Sequence, residues 1–488
     1  MRSFFSLFTL LSLVASRNNA EYSTIQTTQG KLRGYIDKSF GSETGIYLGI
    51  PFAKPPIGQL RFTLPQASLA WDGILDATHY RPACLSDTIS TRSRQHYIDE
   101  DCLYLNIVAG RKCQINTCPV IVYLHGGSFY FDSAIMFNLT VINEKYASKE
   151  VIFVIPAYRL GIFGFIGLGD DIAAPRNLGF HDMILALKWV QKEISAFGGD
   201  PRRVTIMGNS AGGLAVTLLT QTPAVPDDLF AQGIAMSSID QYRKNLNLNI
   251  SMGIAYLTRC ANRSEHTSNQ AIVDCLRKKS AKELLHSQKL LTDSNLLDLM
   301  FGPEPETNLF PVSPALLMKK NNIARQMPFG PEPDGTLFPA EYATLFKNDN
   351  TRRHMIGITK DDSTVSFARS SYRECITWLG VFGYSQERTR LKCAAKYRNV
   401  PAVVQKDETR ASTYRLALKL AAGAETFLYS FDMPGHRRHS SDLSFVLGVH
   451  PIHNMNSDEE YMDWLLPEMI RNFVKTGNPG NGRSLLTF

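Results

Sequence analysis

A short stretch of this chain, VTIMGNSAGG at residues 204–213, constrains the fold most strongly. An apolar run leads into Gly208, small residues surround Ser210, and an apolar helical pattern follows. This order predicts a strand, a sharp turn and a helix. The central five residues fit the G-x-S-x-G frame, whose glycines let strand and helix pack closely around an exposed serine. Ser210 is therefore a candidate nucleophile. The frame alone is weak, because its three fixed positions recur by chance in about one chain in six of this length.

The sequence around this turn predicts a mainly parallel sheet flanked by helices. Residues 119–127 (PVIVYLHGG) and 150–159 (EVIFVIPAYR) are nearly continuous apolar runs, as in strands buried on both faces. From residue 184 to residue 197 apolar side chains keep helical spacing. The resulting βαβα order implies a parallel sheet. With 44% hydrophobic residues and no Gly/Ser linker, we expect one large α/β domain.

Two patterns in the second half of the chain predict local structure. The sequence SDEE, Ser457 to Glu460, has the form of a capping box and predicts a helix that runs toward Gly477. The segment FGPEPETNLFP at Phe301 recurs as FGPEPDGTLFP at Phe329. Two copies cannot form a solenoid, so we interpret the repeat as a local duplication or a sequence-assembly error.

The first 20 residues have the pattern of a secretory signal peptide. Arg2 precedes an apolar run at residues 4–15, and Ser16 and Ala20 are the two candidate cleavage sites. We expect residues 1–20 to be removed and residues 21–488 to form the mature domain. No later run reaches about 18 uninterrupted apolar residues, so no membrane span is expected after cleavage.

The net charge and the cysteines indicate the environment of the protein. The net charge of +7 is dispersed, so a nucleic-acid partner is not expected. Eight cysteines in an oxidising compartment predict disulfides, and a buried free thiol is the alternative for any one of them. The simplest local pairing is Cys84 with Cys102, Cys113 with Cys118 and Cys260 with Cys275, which leaves Cys375 and Cys393. Sequons for surface glycans stand at Asn138, Asn249 and Asn262.

A second motif lies upstream of the serine turn. HGGSF, His125 to Phe129, directly follows a predicted strand. Small residues there allow backbone N–H groups to approach a bound carbonyl group, as in an oxyanion hole. The alternative is an ordinary strand-exit turn. The order of the two motifs along the chain favours the functional interpretation.

These motifs belong to a wider resemblance. The chain resembles the type-B carboxylesterase and cholinesterase family, which has the α/β-hydrolase fold. The similarity extends over nearly all of the mature chain. The matching stretches are YLGIPFAKPPIGQLRF (47–62), EDCLYLNI (100–107), HGGSF, YRLGIFGF (158–165), LGFHDMILALKWVQKEISAFGGDPRRVTIMGNSAGG (178–213) and NFVKTGNP (472–479).

The resemblance implies a triad in the order serine, acid, histidine. The sequence GITKDDS, Gly357 to Ser363, resembles the family's G-x-x-x-D-E-G and places Asp362 at the acid position. It departs from that pattern in having Asp for Glu and Ser363 for Gly. Asp and Glu both serve as the orienting acid in this fold. Asp361 is the fallback for the acid, and an exposed acidic turn is the non-catalytic alternative.

Four histidines follow Asp362, and one of them has a family pattern. HSSDLSFVLG resembles H-G-x-E-L-x-Y-V-F-G and selects His439, with Ser440 and Asp442 as departures. A surface histidine is the alternative for that position. His436 is expected to be solvated beside two arginines. The remaining two, His450 and His453, lack a motif.

The resemblance also implies the remaining parts of the site. Backbone N–H groups of Gly127, Ser128 and Ala211 would form the oxyanion hole, with Ser128 in place of a common third glycine. The expected partner is a small-molecule ester. No metal and no organic cofactor is required.

Two differences from the family bear on the substrate. Asn209 replaces the glutamate of G-E-S-A-G, and the Cys84–Cys102 loop lacks the tryptophan that stacks on choline. Tyr97 is the aromatic residue of that loop and is either a substitute for the tryptophan or a packing residue. The prediction is a secreted serine carboxylesterase. The alternative is a non-catalytic adhesion ectodomain, although such relatives lack the serine. Family members continue beyond NFVKTGNP with a Trp-Pro stretch, so the end at GNGRSLLTF is either truncated or packed differently.

Overall fold

The computed structural model of the chain describes most residues of the predicted mature domain. The described residues are 21–86, 97–238, 247–262, 265–301, 329–339, 345, 351–360, 362, 407–437 and 439–480. For residues 292–301 and 407–412 the description covers the helical backbone only.

Strands and helices alternate through the central part of the chain. The strands are β1 (Tyr22–Gln26), β2 (Lys31–Asp37), β3 (Thr44–Pro51), β4 (Ile74–Asp76), β5 (Ala83–Cys84), β6 (Ile98–Asp99), β7 (Tyr104–Gly110), β8 (Cys118–Leu124), β9 (Ile152–Pro156), β10 (Gly199–Asn209), β11 (Gln232–Met236), β12 (Arg353–Thr359) and β13 (Thr426–Phe431). The helices are α1 (Leu139–Lys145), α2 (Gly161–Phe165), α3 (Leu178–Glu193), α4 (Ala211–Gln221), α5 (Asn247–Leu257), α6 (Asn269–Lys278), α7 (Ala281–Phe301), α8 (Asp407–Ala421), α9 (Leu443–Leu447) and α10 (Ser457–Thr476).

One large mixed sheet organises these elements. Its strand order is β1-β2-β3-β7-β9-β8-β10-β11-β12-β13, with β4 beside β2. The strands from β9 to β13 run parallel to one another, whereas β1, β2, β3, β7 and β9 pair antiparallel. The predicted α/β class with a mainly parallel central sheet is confirmed. The antiparallel strands at the N-terminal side of the sheet were not part of that prediction.

The register of the parallel strands brings three strand ends together. Gly208 of β10 lies opposite Leu124 of β8, and Asn209 lies opposite Met236 of β11. Met236 in turn lies opposite Gly357 of β12. The carboxyl ends of neighbouring parallel strands are where ligands bind in open α/β sheets. The segments after β8, β10, β11 and β12 therefore emerge at one edge.

The core sits on both faces of the parallel strands. Every residue of β8, β9 and β11 is buried, which fits their nearly continuous apolar sequences. Helix α4 packs against β10 and β11. Helix α3 ends at Glu193, and a short 3₁₀ turn continues it to Phe197. Gly198 ends this turn in a left-handed conformation, with φ of 86°.

The start of helix α10 corrects one prediction. The helix covers Ser457–Thr476 and ends at Gly477, as expected. Its capping residue is Asn456, and not Ser457. The Asn456 side chain accepts hydrogen bonds from the N–H groups of Asp458 and Glu459, while Glu459 accepts one from the N–H of Asn456. Asparagine caps as well as serine, so the box is shifted by one residue.

Three disulfides lie among the described residues, which also include one complete copy of the repeat. The disulfides join Cys84 with Cys102, Cys113 with Cys118 and Cys260 with Cys275, as the local pairing predicted. Cys375 and Cys393 lie outside the described residues. Of the repeat, the copy at 329–339 buries Phe329 and Phe338. Most of the copy at 301 also lies outside the described residues.

Within the described residues, no helix combines the length and the apolar character that crossing a membrane requires.

His354 is a buried histidine without a hydrogen-bond partner among the described residues. It lies on β12 and is 1% exposed, and neither ring nitrogen is satisfied. Burial, with the nearby positive charge of Arg352, lowers the pKa of His354 from 6.5 to about 3. The neutral form is therefore the native one. Protonation is favoured in the unfolded chain, so this group weakens folding as the pH falls below 6.5.

We predict that His354→Leu makes the fold less sensitive to acid. Between about pH 7.5 and pH 5, the low pKa of His354 costs the wild-type chain about 2 kcal/mol of unfolding free energy. Leucine at this position lacks the titrating group and has a similar volume. The variant should therefore lose about 2 kcal/mol less than the wild type over this range. Denaturant unfolding at both pH values measures the difference.

His453→Leu serves as the control, because His453 is exposed. Its acid sensitivity should equal that of the wild type. Equal acid losses in His354→Leu and wild type would show that His354 does not limit stability at low pH.

Candidate active site

Ser210 sits on a strained turn between β10 and α4. Its backbone has φ of 57° and ψ of −120°, a conformation that a residue with a side chain rarely adopts. The Ser210 N–H donates to the Met236 carbonyl at 2.9 Å, which ties the turn to β11. A Cβ at Gly212 would lie 2.0 Å from the Leu124 carbonyl oxygen. Only glycine allows α4 to approach β8 so closely, and this approach fixes the turn.

Three side chains from distant parts of the chain meet at this turn. The Ser210 hydroxyl lies 2.9 Å from Nε2 of His439. The opposite ring nitrogen of His439, Nδ1, lies 2.6 Å from Oδ1 of Asp362. Ser210 follows β10, Asp362 follows β12, and His439 follows β13, so each comes from a different strand end. The result is a continuous hydrogen-bonded chain from hydroxyl to imidazole to carboxylate.

Asp362 is held in its charged form by several donors. Its Oδ2 accepts hydrogen bonds from the Ser237 hydroxyl and from the N–H and hydroxyl of Thr359, the latter two at 3.2 and 3.0 Å. Burial alone would raise the pKa of Asp362, but the charge of His439 and the hydrogen bonds outweigh it. The net pKa therefore lies below the ordinary value. An ionised carboxylate then faces Nδ1–H of His439.

His439 is tuned by two carboxyl groups. Burial alone would lower its pKa, but the charge and hydrogen bond of Asp362 raise it above 6.5, and Asp442 adds to the rise. Asp442 is fully buried, and burial together with the charge of Asp362 raises its own pKa to about 7. Its Oδ2 accepts from the Tyr429 hydroxyl at 3.2 Å. The His439 side chain itself is 34% exposed, so the site is open to solvent.

The HGGSF segment after β8 forms a compact loop beside Ser210. Gly127, Ser128 and Phe129 all have positive φ, at 96°, 53° and 61°. The Gly127 carbonyl accepts from the N–H groups of Tyr130 and Phe131, both at 3.0 Å. At Gly127 a Cβ would lie 2.2 Å from the Phe131 carbonyl oxygen, which requires glycine.

This loop lies close to the serine. Gly126 borders Ser210 closely, since a Cβ at Gly126 would lie 3.4 Å from the Ser210 Cβ. Among the described residues, no acceptor is found for the N–H groups of Gly127, Ser128 and Ala211. The three predicted donors are thus free to bind an added oxygen.

His125 contacts the backbone of this loop. The ring stacks on Tyr158 with centroids 4.3 Å apart, and Nδ1 lies 2.9 Å from the Gly126 carbonyl. The Tyr158 hydroxyl donates to the His125 carbonyl at 2.7 Å. Burial lowers the pKa of His125 to about 4, so the ring is neutral and Nδ1–H donates to Gly126.

Three other residues singled out in the sequence have different outcomes. Asp361, the fallback acid, lies outside the described residues. The prediction for His436 was wrong, because its Nε2 pairs with Glu459 at 2.7 Å instead of being solvated. Tyr97 is 63% exposed, so it is not a packing residue.

The three sequon asparagines are exposed, but their local settings differ. Asn138 caps helix α1 by accepting from the Thr140 N–H at 3.0 Å. Asn262 lies in the turn after helix α5. Asn249 lies within helix α5, and the serine of its sequon, Ser251, is buried.

Sequence reasoning missed four side chains around the triad. Ser237 and Thr359 hold Asp362, but each is an ordinary residue at a strand end. The topology, and not a motif, brings them together. The Ser440 hydroxyl donates to Oδ1 of Asn209 at 2.6 Å, and both positions had been noted only as departures from family patterns.

Comparison with known proteins identifies the family to which the chain belongs. The profile of the carboxylesterase family matches residues 21–487. Mouse carboxylesterase 1C is 38% identical over 290 residues, covering 56% of this chain and 50% of the mouse protein. Human carboxylesterase 5A is 36% identical over 312 residues, covering 60% of this chain and 52% of the human protein. The chain thus matches about half the length of these relatives.

Solved structures share the fold over more of the chain. A structure titled PNB esterase aligns with a TM-score of 0.72 and 27% identity, covering 94% of this chain and 91% of the other. Juvenile hormone esterase from Manduca sexta aligns with a TM-score of 0.71 and 23% identity, over 94% and 91% of the two chains. The second similarity is one of fold alone.

We predict that the pKa of His439 lies above 6.5 and falls when Asp362 is replaced. Asp362→Asn removes the largest interaction that raises the pKa. Asp442→Asn removes a smaller one and should lower the pKa less. Histidine C–H resonances followed by NMR across pH measure both shifts, with the His439 signal assigned by its loss in His439→Gln. A larger shift from Asp442→Asn would contradict this order of interactions.

Proposed function

Because the chain belongs to the carboxylesterase family, we propose that it is a secreted serine carboxylesterase that cleaves esters through an acyl-enzyme. The observation that carries the proposal is the continuous hydrogen bonding from Ser210 through His439 to Asp362. Such a chain activates a hydroxyl that is otherwise a weak nucleophile. A hydrogen-bonded serine without the acid would lack the group that orients the imidazole.

The proposed first step is acylation of the serine. Nε2 of His439 takes the proton as the Ser210 oxygen attacks the ester carbonyl carbon. The bond between that carbon and the alcohol oxygen then breaks, and His439 gives its proton to the departing alcohol. Asp362 holds Nδ1–H and stabilises the imidazolium that forms between the two events.

The negative charge that develops on the carbonyl oxygen needs donors. The N–H groups of Gly127, Ser128 and Ala211 are our candidates, because none has another acceptor among the described residues. Removing one such donor in a serine hydrolase costs on the order of 10² to 10³ in turnover. Gly127 and Ser128 both have positive φ, and these backbone conformations set the orientation of their peptide groups.

Deacylation repeats the same chemistry with water. His439 takes a proton from water, which attacks the acyl carbon, and returns the proton to Ser210. Both steps need neutral His439, so activity should fall as the pH drops through its raised pKa. Free acid and alcohol are the products, and Ser210, His439, Asp362 and the loop N–H groups supply the groups that this cycle uses.

We also propose that the chain acts outside the cell. The signal-peptide pattern at residues 1–20 and the disulfides support this location. Residues 21–488 would then be the mature enzyme. Glycans are proposed at Asn138, Asn249 and Asn262, all exposed.

We predict that Ser210→Ala abolishes hydrolysis of a short-chain aryl ester, because it removes the hydroxyl that is hydrogen-bonded to Nε2 of His439. Wild-type chain should also react at Ser210 with an organophosphonate ester, seen as a mass increase on the peptide that contains residues 204–213. An adhesion ectodomain would show neither hydrolysis nor labelling. Equal rates in wild type and Ser210→Ala would exclude Ser210 as the nucleophile.

Asp362→Asn and Asp361→Asn form a matched pair in the same assay. Loss of the orienting acid can cost on the order of 10⁴ in turnover. Asp362→Asn should therefore be far slower than Asp361→Asn. The reverse order would place the acid one residue earlier.

We predict that the enzyme prefers a neutral ester to a choline ester. Asn209 carries no charge, and the exposed Tyr97 is the aromatic residue of the Cys84–Cys102 loop. A desolvated aromatic face is worth about 2 kcal/mol to a quaternary ammonium, so its loss costs over tenfold in discrimination. The comparison is kcat/KM for a choline ester against the isostere with carbon in place of nitrogen. A strong preference for the cation would contradict the prediction.

A further inference from the structure

Beside the Ser210–His439 contact, a second hydrogen bond joins the same two segments. The Ser440 hydroxyl donates to Oδ1 of Asn209 at 2.6 Å, across 231 residues of sequence. Asn209 directly precedes Ser210, and Ser440 directly follows His439. The bond therefore connects the residue before the nucleophile with the residue after the base.

The acceptor of this bond is shielded from water. Asn209 is 2% exposed at the end of β10, and Ser440 is half-buried. Among the described residues, the Asn209 amide nitrogen has no partner, so Ser440 makes the hydrogen bond that orients the Asn209 side chain. Hydrogen bonds between shielded groups hold a fixed geometry better than exposed ones do.

The backbone conformations of Ser210 and Ser440 show why the hydrogen bond between the two segments matters. Ser440 has φ of 63°, and Ser210 has φ of 57°, so both are non-glycine residues in the left-handed region. Such conformations persist where surrounding contacts over-determine them. Glycine at 440 would adopt this φ without strain but would lack the hydroxyl. The chain thus has a strained residue whose side chain makes a specific contact.

The turn after His439 has a second attachment on its far side. The Ser440 carbonyl accepts from the Leu443 N–H at 3.1 Å, which joins the turn to α9. That bond anchors the turn to the helix, whereas the bond to Asn209 anchors it to the serine turn. The bond to Asn209 is therefore the one that bears on the distance between His439 and Ser210.

We propose that Asn209 and Ser440 are a positioning pair that sets the distance and angle between the Ser210 hydroxyl and Nε2 of His439. The pair contains none of the reacting atoms and acts through the two adjacent residues. The role rests on the proposed function. Misplacement of a catalytic group by about 1 Å can cost on the order of 10² in rate, so a small shift of this turn is sufficient.

The test is a double-mutant cycle in the full chain with Asn209→Ala, Ser440→Gly and the double variant. Each single change should lower kcat by about tenfold or more while KM stays within about twofold. The double variant should be no slower than the slower single variant, because the shared bond is already lost. The rate of phosphonate labelling at Ser210 should fall in parallel.

One variant of the cycle and two further variants separate the effect of the bond from that of its surroundings. Ser440→Gly removes the hydroxyl but suits the left-handed backbone, so its loss of kcat reports the bond and not strain. Ser441→Ala is the control, because it removes a neighbouring hydroxyl outside this contact, and it should keep wild-type kcat. Asn209→Asp keeps an acceptor for Ser440 and should restore kcat at high pH, with the acid limb moved to higher pH by the added charge.

The outcomes distinguish this proposal from the proposed function. Additive losses in the cycle, or wild-type kcat in Ser440→Gly, would overturn the positioning role while the esterase assignment stands. Non-additivity that is seen in unfolding midpoints but not in kcat would also overturn it, since the bond would then serve stability alone. A wild-type chain with neither hydrolysis nor labelling would overturn both.

Discussion

The close crossing of helix α4 over strand β8 is the contact on which the rest of the site depends. The backbone of Gly212 packs directly against the Leu124 carbonyl group. There is no side chain between them whose movement could relax the turn. Ser210 is therefore held at φ of 57° and ψ of −120°. Strain of this kind costs of order 1 to 3 kcal/mol and persists only in a rigid surrounding. Fully buried β8 and β11 supply that surrounding, because each large apolar side chain contributes about 1.5 to 3 kcal/mol on burial.

Two buried carboxyl groups lie near His439. The number of hydrogen-bond donors around each carboxyl group, and not its burial, decides which of the two is charged. Asp362 and Asp442 are both largely excluded from water, yet the pKa of Asp362 is lowered and that of Asp442 is raised to about 7. Asp362 accepts from Ser237, Thr359 and His439, whereas Asp442 accepts from one tyrosine hydroxyl. Different environments therefore give two similar residues different protonation states, a pattern typical of acid–base sites.

Much of this arrangement could be predicted from the sequence, because it is encoded locally. The turn at Ser210, the loop at Gly127 and the parallel strands follow from glycine spacing and apolar runs. His439 and Asp362 needed the resemblance to a family, since a single histidine or aspartate carries no local signal. The support from Ser237 and Thr359 could not be predicted, because it arises from the register between β11 and β12. Nor could the capping residue of α10 be fixed, since asparagine and serine cap almost equally well.

The departures from the family patterns at Asn209 and Ser440 are 231 residues apart in sequence, but the fold makes them one interaction. Their side chains form a hydrogen bond that a glutamate and a glycine at these positions could not form, since glycine has no hydroxyl. The neutral amide also bears on electrostatics. A carboxylate at position 209 would stand beside His439 together with Asp362 and Asp442, which already raise its pKa. A third carboxylate would raise it further and keep the base protonated at higher pH. An amide makes the contact without that charge, so one residue type satisfies both the geometry and the titration of the imidazole.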